Sequence, residues 1–575
     1  MLVDFNFMAC GEAGQGVQSI GWVFAKTMSY GGFHVFADQD YENRVRGGHN
    51  FFRVRVSDKK ILTFAEKLDI LIALHEDAVA LHKKDMKENG VIIFDRETTH
   101  IEDESDLYLH VPLSQLAEET TNNTFMVNTV ALGAAFGLTG CDFEILKTVL
   151  QKEFQKAGEE IVKKNVAAVR AGFEFTFQKG IHKVYQKTQP ERNPPKKMFL
   201  NGNEALALGA MVGGCKFISG YPMTPATPIL EYIADKGVRW STVAMHVEDE
   251  IAAINMALGA SFAGVRAMVA TSGGGFSLMV EGISLAGITE TPVVVVLGQR
   301  PGPATGLPTR TEQGDLHFAL RAGHGEFPRA LLAPATVEGS FHAIIKAFNL
   351  AENYQIPVII LTDHHLMSSY TIVERFCLEE VFIEREGVLS DKEIENMTDY
   401  KRHLNTESGI SPRAFPLQGK ALVITDSDEH DETGHMAEDV DTRNQQNMKR
   451  LRKLKALSTE IGEPYIEQIP KAEYTLIGWG STYGAIKEAT DILRQDGMAV
   501  NMLHFTEIWP FPAEEATPIL HSGAKNIVIE NNATAQFAHL IKSEIGHEVS
   551  RSILKFDGYP FSASHIVDQL KKEVS

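Results

Sequence analysis

Cysteine is scarce in this sequence of 575 residues. The chain has four cysteines, Cys10, Cys141, Cys215 and Cys377, and no two of them form a Cys-x-x-Cys pair. Because iron–sulfur clusters are held by arrays of cysteine thiolates, this spacing excludes a cluster bound by this chain alone. We interpret the four residues as buried apolar side chains and expect no disulfides.

Positive charge is also in short supply. The 55 Lys and Arg residues stand against 75 Asp and Glu residues, which gives a formal net charge of −20. A nucleic-acid partner requires a basic face, so that class is excluded. The acidic run from Asp426 to Glu432 repeats at no helix or strand spacing. We therefore interpret it as a solvated loop and predict no metal site on this chain.

Long apolar runs are absent as well. The longest apolar stretch, from Met126 to Cys141, is interrupted by Asn128, Thr129 and several glycines. It falls short of the roughly 20 apolar residues of a membrane-spanning helix, so we expect a buried helix there and no membrane partner. The first residues show neither the basic region nor the apolar core of a signal peptide, and we expect a cytoplasmic protein.

The chain is too long for a single core and divides by composition into several segments. Strands alternating with helices predict α/β domains, and continuous apolar runs such as Pro292 to Leu297 predict parallel sheets covered on both faces. A polar, proline-rich linker is predicted near 187–197. The predicted domains are 1–186, 198–380 and 471–575, with a charged interdomain connection at 381–470.

A glycine-rich loop separates the first predicted strand, Phe5 to Cys10, from a helix predicted over Val17 to Ser29. It contains Gly11, Gly14 and Gly16. Backbone amides at such a position can bind a phosphate, and a tight turn explains the same glycines. Because their order differs from the Rossmann and P-loop patterns, the loop argues against an NAD-dependent dehydrogenase.

Two segments in the middle of the chain are unusual together. A turn with three prolines, Tyr221 to Pro228, is followed by three acidic residues, Glu248, Asp249 and Glu250, at the start of a Gly/Ala-rich helix. A lone threonine in such a turn is ordinarily a cap, and a lone acid there ordinarily faces the helix dipole. The pairing of the two segments is what points to a site.

Two further segments follow buried strands. Ser272 precedes the run Gly273 to Gly275, which favours either close backbone approach to a ligand or a tight strand-to-helix turn. A proline-stiffened loop carries Arg300 and Arg310 at the position where ligands of parallel sheets bind. Arginine pairs with carboxylates through charge-assisted hydrogen bonds, although a surface charge or an interdomain ion pair explains either residue equally.

These motifs together resemble the pyrimidine-binding half of a thiamine-diphosphate site, and nearly the whole chain resembles the alpha subunits of the 2-oxoacid:ferredoxin oxidoreductases. The resemblance implies that Glu250, matched by counting back from Gly259, is the carboxylate that contacts the aminopyrimidine and promotes loss of the reactive proton. Glu248 is the alternative. It also implies that Thr224 faces the cofactor and the substrate. The expected cofactor contacts are Tyr221, Pro222, Glu250, Ser272 and Gly273.

The N-terminal domain is similar to the gamma subunit of the same enzymes. The match rests on the segment Asn43 to Asn50, with its Arg-Gly-Gly sequence, and implies a gamma–alpha fusion. Arg44 and Arg46, with Gly14 and Gly16, are then expected to bind either coenzyme A phosphates or carboxylates of another subunit. The last domain resembles the C-terminal domain of the transketolase group, so the expected fold has three parallel-sheet α/β domains.

One expected element of a thiamine enzyme is missing. The chain contains no Gly-Asp-Gly segment with a downstream Asn, the signature that binds Mg²⁺ and diphosphate. In the family, the diphosphate half-site, the Mg²⁺ and a [4Fe–4S] cluster belong to a beta subunit. The resemblance therefore implies an (alpha-beta)2 heterotetramer in which this chain supplies half of each active site and ferredoxin docks on the beta subunit.

The expected reaction is the CoA-dependent oxidative decarboxylation of a 2-oxoacid, with single electrons passed to ferredoxin. Its reverse is a reductive carboxylation, as in the reductive TCA cycle. We favour 2-oxoglutarate, with Arg300 at the 1-carboxylate and Arg310 at the distal carboxylate. Pyruvate or a branched-chain 2-oxoacid is the alternative substrate, and a non-catalytic nucleotide-binding assembly module is the alternative function.

Overall fold

The computed structural model describes residues 3–42, 47–101, 105–178 and 197–574. The chain forms two compact units. The first comprises 1–200 together with the short segments 369–375 and 562–564, and the second comprises the remaining residues. The predicted linker near 187–197 lies almost entirely outside the described residues.

The N-terminal part alternates strands and helices. Its strands are β1 (Asp4–Ala13), β2 (His34–Asp40), β3 (Gly47–Ser57), β4 (Leu68–Ala73), β5 (Met86–Phe94) and β6 (Tyr108–His110). Its helices are α1 (Val17–Tyr30), α2 (Glu76–His82), α3 (Leu113–Thr121), α4 (Val127–Thr139), α5 (Phe143–Phe154) and α6 (Glu159–Gln178). The buried α4 occupies the apolar stretch for which a buried helix was predicted.

The central part follows the same alternation. Its strands are β7 (Met198–Asn201), β8 (Cys215–Gly220), β9 (Val243–His246), β10 (Arg266–Ser272), β11 (Val293–Gln299), β12 (Ala330–Leu332), β13 (Pro357–Asp363) and β14 (Tyr370–Val373). Its helices are α7 (Gly202–Val212), α8 (Thr227–Lys236), α9 (Glu250–Phe262), α10 (Gly273–Ile288), α11 (Leu316–Leu320), α12 (Val337–Tyr354), α13 (His364–Ser368) and α14 (Asp391–Asn396).

The C-terminal part begins with a long helix. Its strands are β15 (Tyr465–Glu467), β16 (Tyr474–Trp479), β17 (Val500–Phe505), β18 (Glu507–Trp509), β19 (Lys525–Glu530) and β20 (Arg551–Leu554). Its helices are α15 (Val440–Glu460), α16 (Tyr483–Gln495), α17 (Ala513–Leu520), α18 (Gln536–Ile545) and α19 (Ala563–Val574). Across the described ranges, no helix is both long enough and apolar enough to cross a membrane.

The first unit is built on an eight-stranded sheet in the order β6-β5-β4-β1-β3-β2-β14-β7. Strands β1, β4, β5 and β6 are parallel, whereas β3 is antiparallel to both β1 and β2, and β14 is antiparallel to β2. The wholly parallel sheet expected for this domain is therefore wrong on one side of β1. The connection from β2 to β3 is too short for a crossover helix, and such short connections join antiparallel strands.

The second unit contains a seven-stranded sheet in the order β18-β12-β13-β11-β10-β8-β9. All its neighbouring strands are parallel except the edge strand β18. Strands β10, β11 and β13 are buried along their whole length, as the continuous apolar runs predicted. The carboxyl ends of β8, β10, β11 and β13 therefore meet at one edge, which we call the carboxyl edge.

A five-stranded sheet completes the second unit, in the order β15-β17-β16-β19-β20, with β15 as its antiparallel edge strand. Its residues Trp479 and Phe505 share one core with Leu361 of the seven-stranded sheet. The α/β class with three sheets is thus confirmed, and the strand pairs of the three sheets taken together are mostly parallel.

The acidic run in the charged segment differs from the solvated loop that we expected. Glu429 Oε2 lies 2.6 Å from Arg443 Nη1 and 2.7 Å from Arg450 Nη2, and His430 is fully buried. The long helix α15 brings these arginines to the run, which local spacing does not reveal. Glu429 therefore pairs with cations of the same unit, whereas Asp428 is exposed as expected.

Candidate active site

The predicted site segments converge on the carboxyl edge of the seven-stranded sheet. Tyr221 directly follows β8, Gly273 follows β10, Arg300 follows β11 and His364 follows β13. Because β8, β10, β11 and β13 belong to one parallel sheet, the four residues emerge on the same side. Segments more than a hundred residues apart in sequence are thereby brought to one place.

Three acidic residues near the start of α9 have three different environments. Glu248 is exposed, whereas Asp249 caps the helix, its Oδ1 accepting the backbone N–H of Ala252 at 2.7 Å. Glu250 is only 4% exposed. The sequence had placed the catalytic carboxylate at Glu250 or Glu248, and Glu250 alone of the three is buried.

The Glu250 carboxylate lies beside the first turn of α10. A Cβ atom added at Gly275 would lie 2.5 Å from Glu250 Oε1 and 2.2 Å from Thr271 Oγ1, so only glycine fits there. Oε1 is buried and has no hydrogen-bond partner among the described residues. An unpaired buried carboxylate oxygen is costly, and a ligand that donates a hydrogen bond would satisfy it.

Ser272 presents a second buried polar atom without a partner. This residue ends β10 and is fully buried, and its Oγ contacts no hydrogen-bonding group within the described ranges. The next residue, Gly273, faces Asp315, whose Oδ2 would lie 2.7 Å from an added Cβ. Between α9 and α10 the edge therefore holds two unsatisfied oxygens and a glycine-lined approach.

Two side chains form hydrogen bonds to backbone carbonyls of the proline turn. The buried Asn203 donates from Nδ2 to the Pro225 carbonyl at 3.1 Å, and Arg300 donates from Nη1 to the Thr224 carbonyl at 2.7 Å. Thr224 itself is half-buried, whereas Tyr221 and Pro222 are exposed. The contact between Arg300 and Thr224 joins two predicted site residues that sequence reasoning had considered separately.

Arg300 also lies near a carboxyl group of its own loop. Burial raises the pKa of Asp315 to about 6, and the positive charge of Arg300 opposes that rise. The Asp315 backbone N–H donates to Gln299 Oε1 at 2.9 Å, which holds the end of the loop against β11. Arg300 thus contacts the proline turn and also interacts with an acid whose pKa is raised by burial.

Arg310 and the residue after β13 form the other end of this cationic region. The Arg310 guanidinium lies 5.1 Å from the centre of the Tyr559 ring. Burial, and then the charges of His365, Arg310 and Arg300, lower the pKa of His364 to about 3. His364 is therefore neutral at physiological pH. Sequence reasoning missed it because it follows an apolar strand with no motif around it.

The arginine loop is anchored by Gln313, another residue that sequence reasoning missed. This fully buried side chain donates from Nε2 to the Trp479 carbonyl at 2.9 Å and accepts at Oε1 from the Asn531 N–H at 3.0 Å. The Gln313 backbone N–H donates to the Asn531 carbonyl at 2.7 Å. The C-terminal sheet therefore fixes the loop that carries both arginines.

The predicted coenzyme A residues belong to the first unit. Strand β1 continues through Ala13, so the glycine loop is shorter than predicted. Gly14 and Gly16 adopt positive φ values of 94° and 74°, and an added Cβ at Gly16 would lie 2.1 Å from Asn128 Nδ2. The tight-turn interpretation accounts for Gly16. Arg44 and Arg46 lie outside the described residues.

Three family models match the chain in succession. Residues 6–175 match "Pyruvate ferredoxin/flavodoxin oxidoreductase", and residues 208–449 match "Pyruvate flavodoxin/ferredoxin oxidoreductase, thiamine diP-bdg". Residues 472–566 match "Pyruvate:ferredoxin oxidoreductase core domain II". The second match contains every predicted site residue at the carboxyl edge.

Similar proteins extend over the whole chain. The 2-oxoacid:ferredoxin oxidoreductase subunit alpha of Sulfolobus sp is 33% identical over 98% of this chain and 96% of its own length. The 2-oxoglutarate synthase subunit KorA of Methanothermobacter thermautotrophicus is 32% identical over 66% of this chain and 99% of its own. The solved 2-oxoglutarate:ferredoxin oxidoreductase of Magnetococcus marinus has a TM-score of 0.90 at 31% identity, with both chains covered completely. The chain therefore belongs to the 2-oxoacid:ferredoxin oxidoreductases, thiamine-diphosphate-dependent enzymes, as an alpha subunit.

Proposed function

We propose that this subunit acts on 2-oxoglutarate. The reaction is the oxidative decarboxylation of 2-oxoglutarate with coenzyme A to give succinyl-CoA and CO2, coupled to reduction of ferredoxin and reversible as a reductive carboxylation. The observation that carries the proposal is the presence of two arginines, Arg300 and Arg310, at the carboxyl edge where Glu250 is buried. A dicarboxylate substrate requires two such cationic partners.

Thiamine diphosphate fits the carboxyl edge on the evidence of its unsatisfied atoms. Glu250 Oε1 and Ser272 Oγ are buried without partners among the described residues, and the absence of a side chain at Gly275 lets the Glu250 carboxylate lie against the first turn of α10. We assign Glu250 to the aminopyrimidine ring and assign Ser272, Gly273, Tyr221 and Pro222 to further cofactor contacts. When bound, the cofactor supplies the electron sink that decarboxylation of a 2-oxoacid requires.

Glu250 is the acid–base group of this half-site. Its carboxylate holds or releases a proton at a ring nitrogen of the pyrimidine, and its burial keeps water from competing for that contact. We also assign to this region Thr224, whose carbonyl accepts a hydrogen bond from Arg300. We assign binding and orientation of the cofactor and the substrate to these residues, and we assign the groups that accept electrons to a partner subunit.

The two arginines are proposed to divide the substrate between them. Arg300 takes the 1-carboxylate because it directly follows β11, and Arg310 takes the distal carboxylate. A guanidinium carries five N–H donors, so the contact with Thr224 does not exhaust Arg300. Both the KorA relative and the solved structure, which contains 2-oxoglutarate, coenzyme A and succinyl-CoA, are named for 2-oxoglutarate.

A beta subunit is proposed to complete the site. Several apolar side chains are exposed on β9, on α10 and on α9, the helix that begins with Glu250: Val243, Met245, Ile251, Met256 and Leu278. Grouped exposed apolar side chains mark protein–protein contacts. We assign the Mg²⁺, the diphosphate half-site, the [4Fe–4S] cluster and the ferredoxin contact to that partner, in an (alpha-beta)2 assembly.

The test is a substrate panel on the coexpressed complex, measured as CoA-dependent reduction of a one-electron dye. In Arg310→Ala, kcat/KM for 2-oxoglutarate should fall by the factor that corresponds to roughly 2–5 kcal/mol, the cost of leaving a buried carboxylate unpaired. The kcat/KM for pyruvate should be nearly unchanged. Arg300→Ala should reduce both alike, because every 2-oxoacid has the proximal carboxylate. An unchanged ratio in both variants would remove the basis for 2-oxoglutarate.

A second candidate is a broader 2-oxoacid oxidoreductase. It is favoured by the Sulfolobus relative, which matches the full length and is named for 2-oxoacids in general. In that case pyruvate or branched-chain 2-oxoacids would give kcat/KM values within about tenfold of 2-oxoglutarate, a difference below about 1.4 kcal/mol. The same panel distinguishes the two candidates.

A further inference from the structure

A cluster of metal-ligating side chains lies in the first unit, which the proposed chemistry does not use. Its members are Cys10 on β1, His49 on β3 and His82 at the end of α2, and one ligand atom from each lies within 4.8 Å of the others. Cys10 is fully buried, whereas the two histidines are half-buried. The cluster therefore has a closed floor and an accessible side.

The antiparallel pairing of β1 and β3 brings the first two residues together. Cys10 lies opposite Phe51, and His49 is two residues from Phe51, so that all three side chains share one face of the sheet. Strand β4 runs on the other side of β1, with Ala73 opposite Cys10, and leads into α2 and His82. The spacing forms no local motif, so our sequence analysis treated Cys10 as a buried apolar residue.

The hydrogen bonds of His82 direct one ring nitrogen toward the cluster. His82 Nδ1 lies 3.1 Å from Asp85 Oδ2, and because a carboxylate accepts, Nδ1 carries the proton. The unprotonated Nε2 then faces His49 Nε2 at 2.8 Å. A carboxylate behind an imidazole is the arrangement that orients metal-binding histidines and strengthens them as ligands.

The nearby His75 does not join the set in its present hydrogen bonding. Its Nδ1 accepts the backbone N–H of Ala78 at 3.1 Å, which caps α2 and leaves the ring proton on Nε2. Two imidazoles and one sulfur remain as possible metal ligands. The alternative to metal binding is a simple hydrogen bond between the two Nε2 atoms, which would leave Cys10 without a role.

We propose that Cys10, His49 and His82 bind a divalent cation of the zinc class, with Asp85 as the positioning residue behind His82. One sulfur and two imidazole nitrogens suit Zn²⁺, with a fourth position open to water. Ligand atoms around tetrahedral zinc lie roughly 3–4 Å apart, so the two Nε2 atoms, 2.8 Å apart in the metal-free chain, would separate by about 0.5 Å on binding. On binding, Cys10 loses its proton to solvent as the sulfur–zinc bond forms, and no electrons are transferred.

The test uses the full chain purified without its partner, so that no iron–sulfur absorption overlaps the signal, stripped with a chelator and titrated with Zn²⁺ or Co²⁺ alone. One tightly bound ion per chain is expected, and Co²⁺ should produce the absorption of a tetrahedral site with a sulfur-to-cobalt charge-transfer band. Cys10→Ser should abolish that band, and His82→Gln should weaken affinity at least about a hundredfold. Asp85→Asn should weaken it about 10- to 100-fold.

Matched controls are Cys141→Ser and His100→Gln, a cysteine and a histidine of the same unit outside the cluster, and both should bind Zn²⁺ like the wild type. Melting curves in chelator check folding, and if Cys10→Ser does not fold, His82→Gln on the accessible side decides. Binding that is absent, or that is equal in His82→Gln, Asp85→Asn and the wild type, would overturn the proposal in favour of the imidazole hydrogen bond. Neither outcome bears on the substrate panel.

Discussion

Two glutamates are buried at opposite edges of the seven-stranded sheet. Glu250, 4% exposed, begins α9 at the carboxyl edge. Glu290, 1% exposed, lies between α10 and β11, on the side where the parallel strands begin, which we call the amino edge. The Glu290 carboxylate lies 2.5 Å from both Lys449 Nζ and Lys453 Nζ and 3.1 Å from His403 Nδ1. Glu250 Oε1 has no hydrogen-bond partner within the described ranges.

The difference separates a carboxylate that holds the fold from one that is available to a ligand. Burial alone would raise the pKa of Glu290, but Lys449, Lys453 and His403 hold it well below its ordinary value. Because α15 supplies both lysines, the charged segment that we predicted to be a connection also stabilises the amino edge through ion pairs with Glu290. The Glu250 Oε1 atom has no hydrogen-bond partner among the residues that the structure describes, and an unsatisfied buried group of this kind calls for a functional explanation.

The largest expected effect is on the fold. Glu290→Gln leaves the ammonium groups of Lys449 and Lys453 buried without their anion, so we expect a loss of about 3–5 kcal/mol in the free energy of unfolding. Denaturant titration measures it, and the exposed Glu248→Gln serves as the control, with a change within about 0.5 kcal/mol. The activity of the folded fraction should stay near wild type. An equally stable Glu290→Gln protein would show that the cluster does not brace this edge.

Glu250→Gln should show the opposite behaviour. The substitution keeps the size of the side chain but removes the acid–base group, so kcat of the complex should fall at least about a hundredfold. Stability should be unchanged or higher, because an unpaired buried charge is removed. Glu248→Gln should be much milder in the same dye assay. If Glu248→Gln were the more damaging change, the catalytic assignment would move to Glu248.

A smaller effect is expected from the glycine beside Glu250. In Gly275→Ala the new methyl group would meet Thr271 Oγ1 at 2.2 Å and Glu250 Oε1 at 2.5 Å, so the carboxylate and the threonine side chain must both shift. A misplacement of about 1 Å can cost up to about a hundredfold in rate, and we expect a loss below that of Glu250→Gln because the carboxylate remains. In the control Gly274→Ala, the nearest atom to the new methyl is the Ala304 carbonyl oxygen at 4.0 Å. Equal kcat values for the two variants would show that the position of Glu250 is not critical.

The positions of the site segments were predictable because each motif follows an apolar run that reads as a strand. Tyr221, Ser272 and Arg300 lie at or directly after strand ends, and parallel strands bring such ends to one edge. The burial of Glu250 beside exposed Glu248 was expected only from the family resemblance. Hydrophobic pattern alone does not distinguish two acids at the start of one helix.

Other features depend on contacts that are remote in sequence. Glu290 and Lys449 are separated by 159 residues, and Gln313 and Trp479 by 166, so no local pattern reports either pairing. The antiparallel β3 was missed for a different reason: its sequence begins with Gly47 and Gly48, which read as part of a loop. Sequence reasoning therefore identified the segments that meet at the carboxyl edge better than it identified the contacts that stabilise that edge.

The smallest expected effect concerns acid stability and contrasts the wild type with Glu290→Gln. The folded-state pKa of Glu290 is depressed below its ordinary 4.5, so its stabilising contribution is present above that pH and is lost as the pH falls through the folded-state value. The stability difference between the two proteins should therefore be complete at pH 7 and should narrow below about pH 4.5. Glu429 and Glu432 also have lowered pKa values, but they are present in both proteins and cancel in the difference. Urea titrations at several pH values between neutral and acid measure this difference. A difference that stayed constant into acid would mean that the charge of Glu290 does not hold the lysines, and that packing alone distinguishes the amino edge from the edge that carries Glu250.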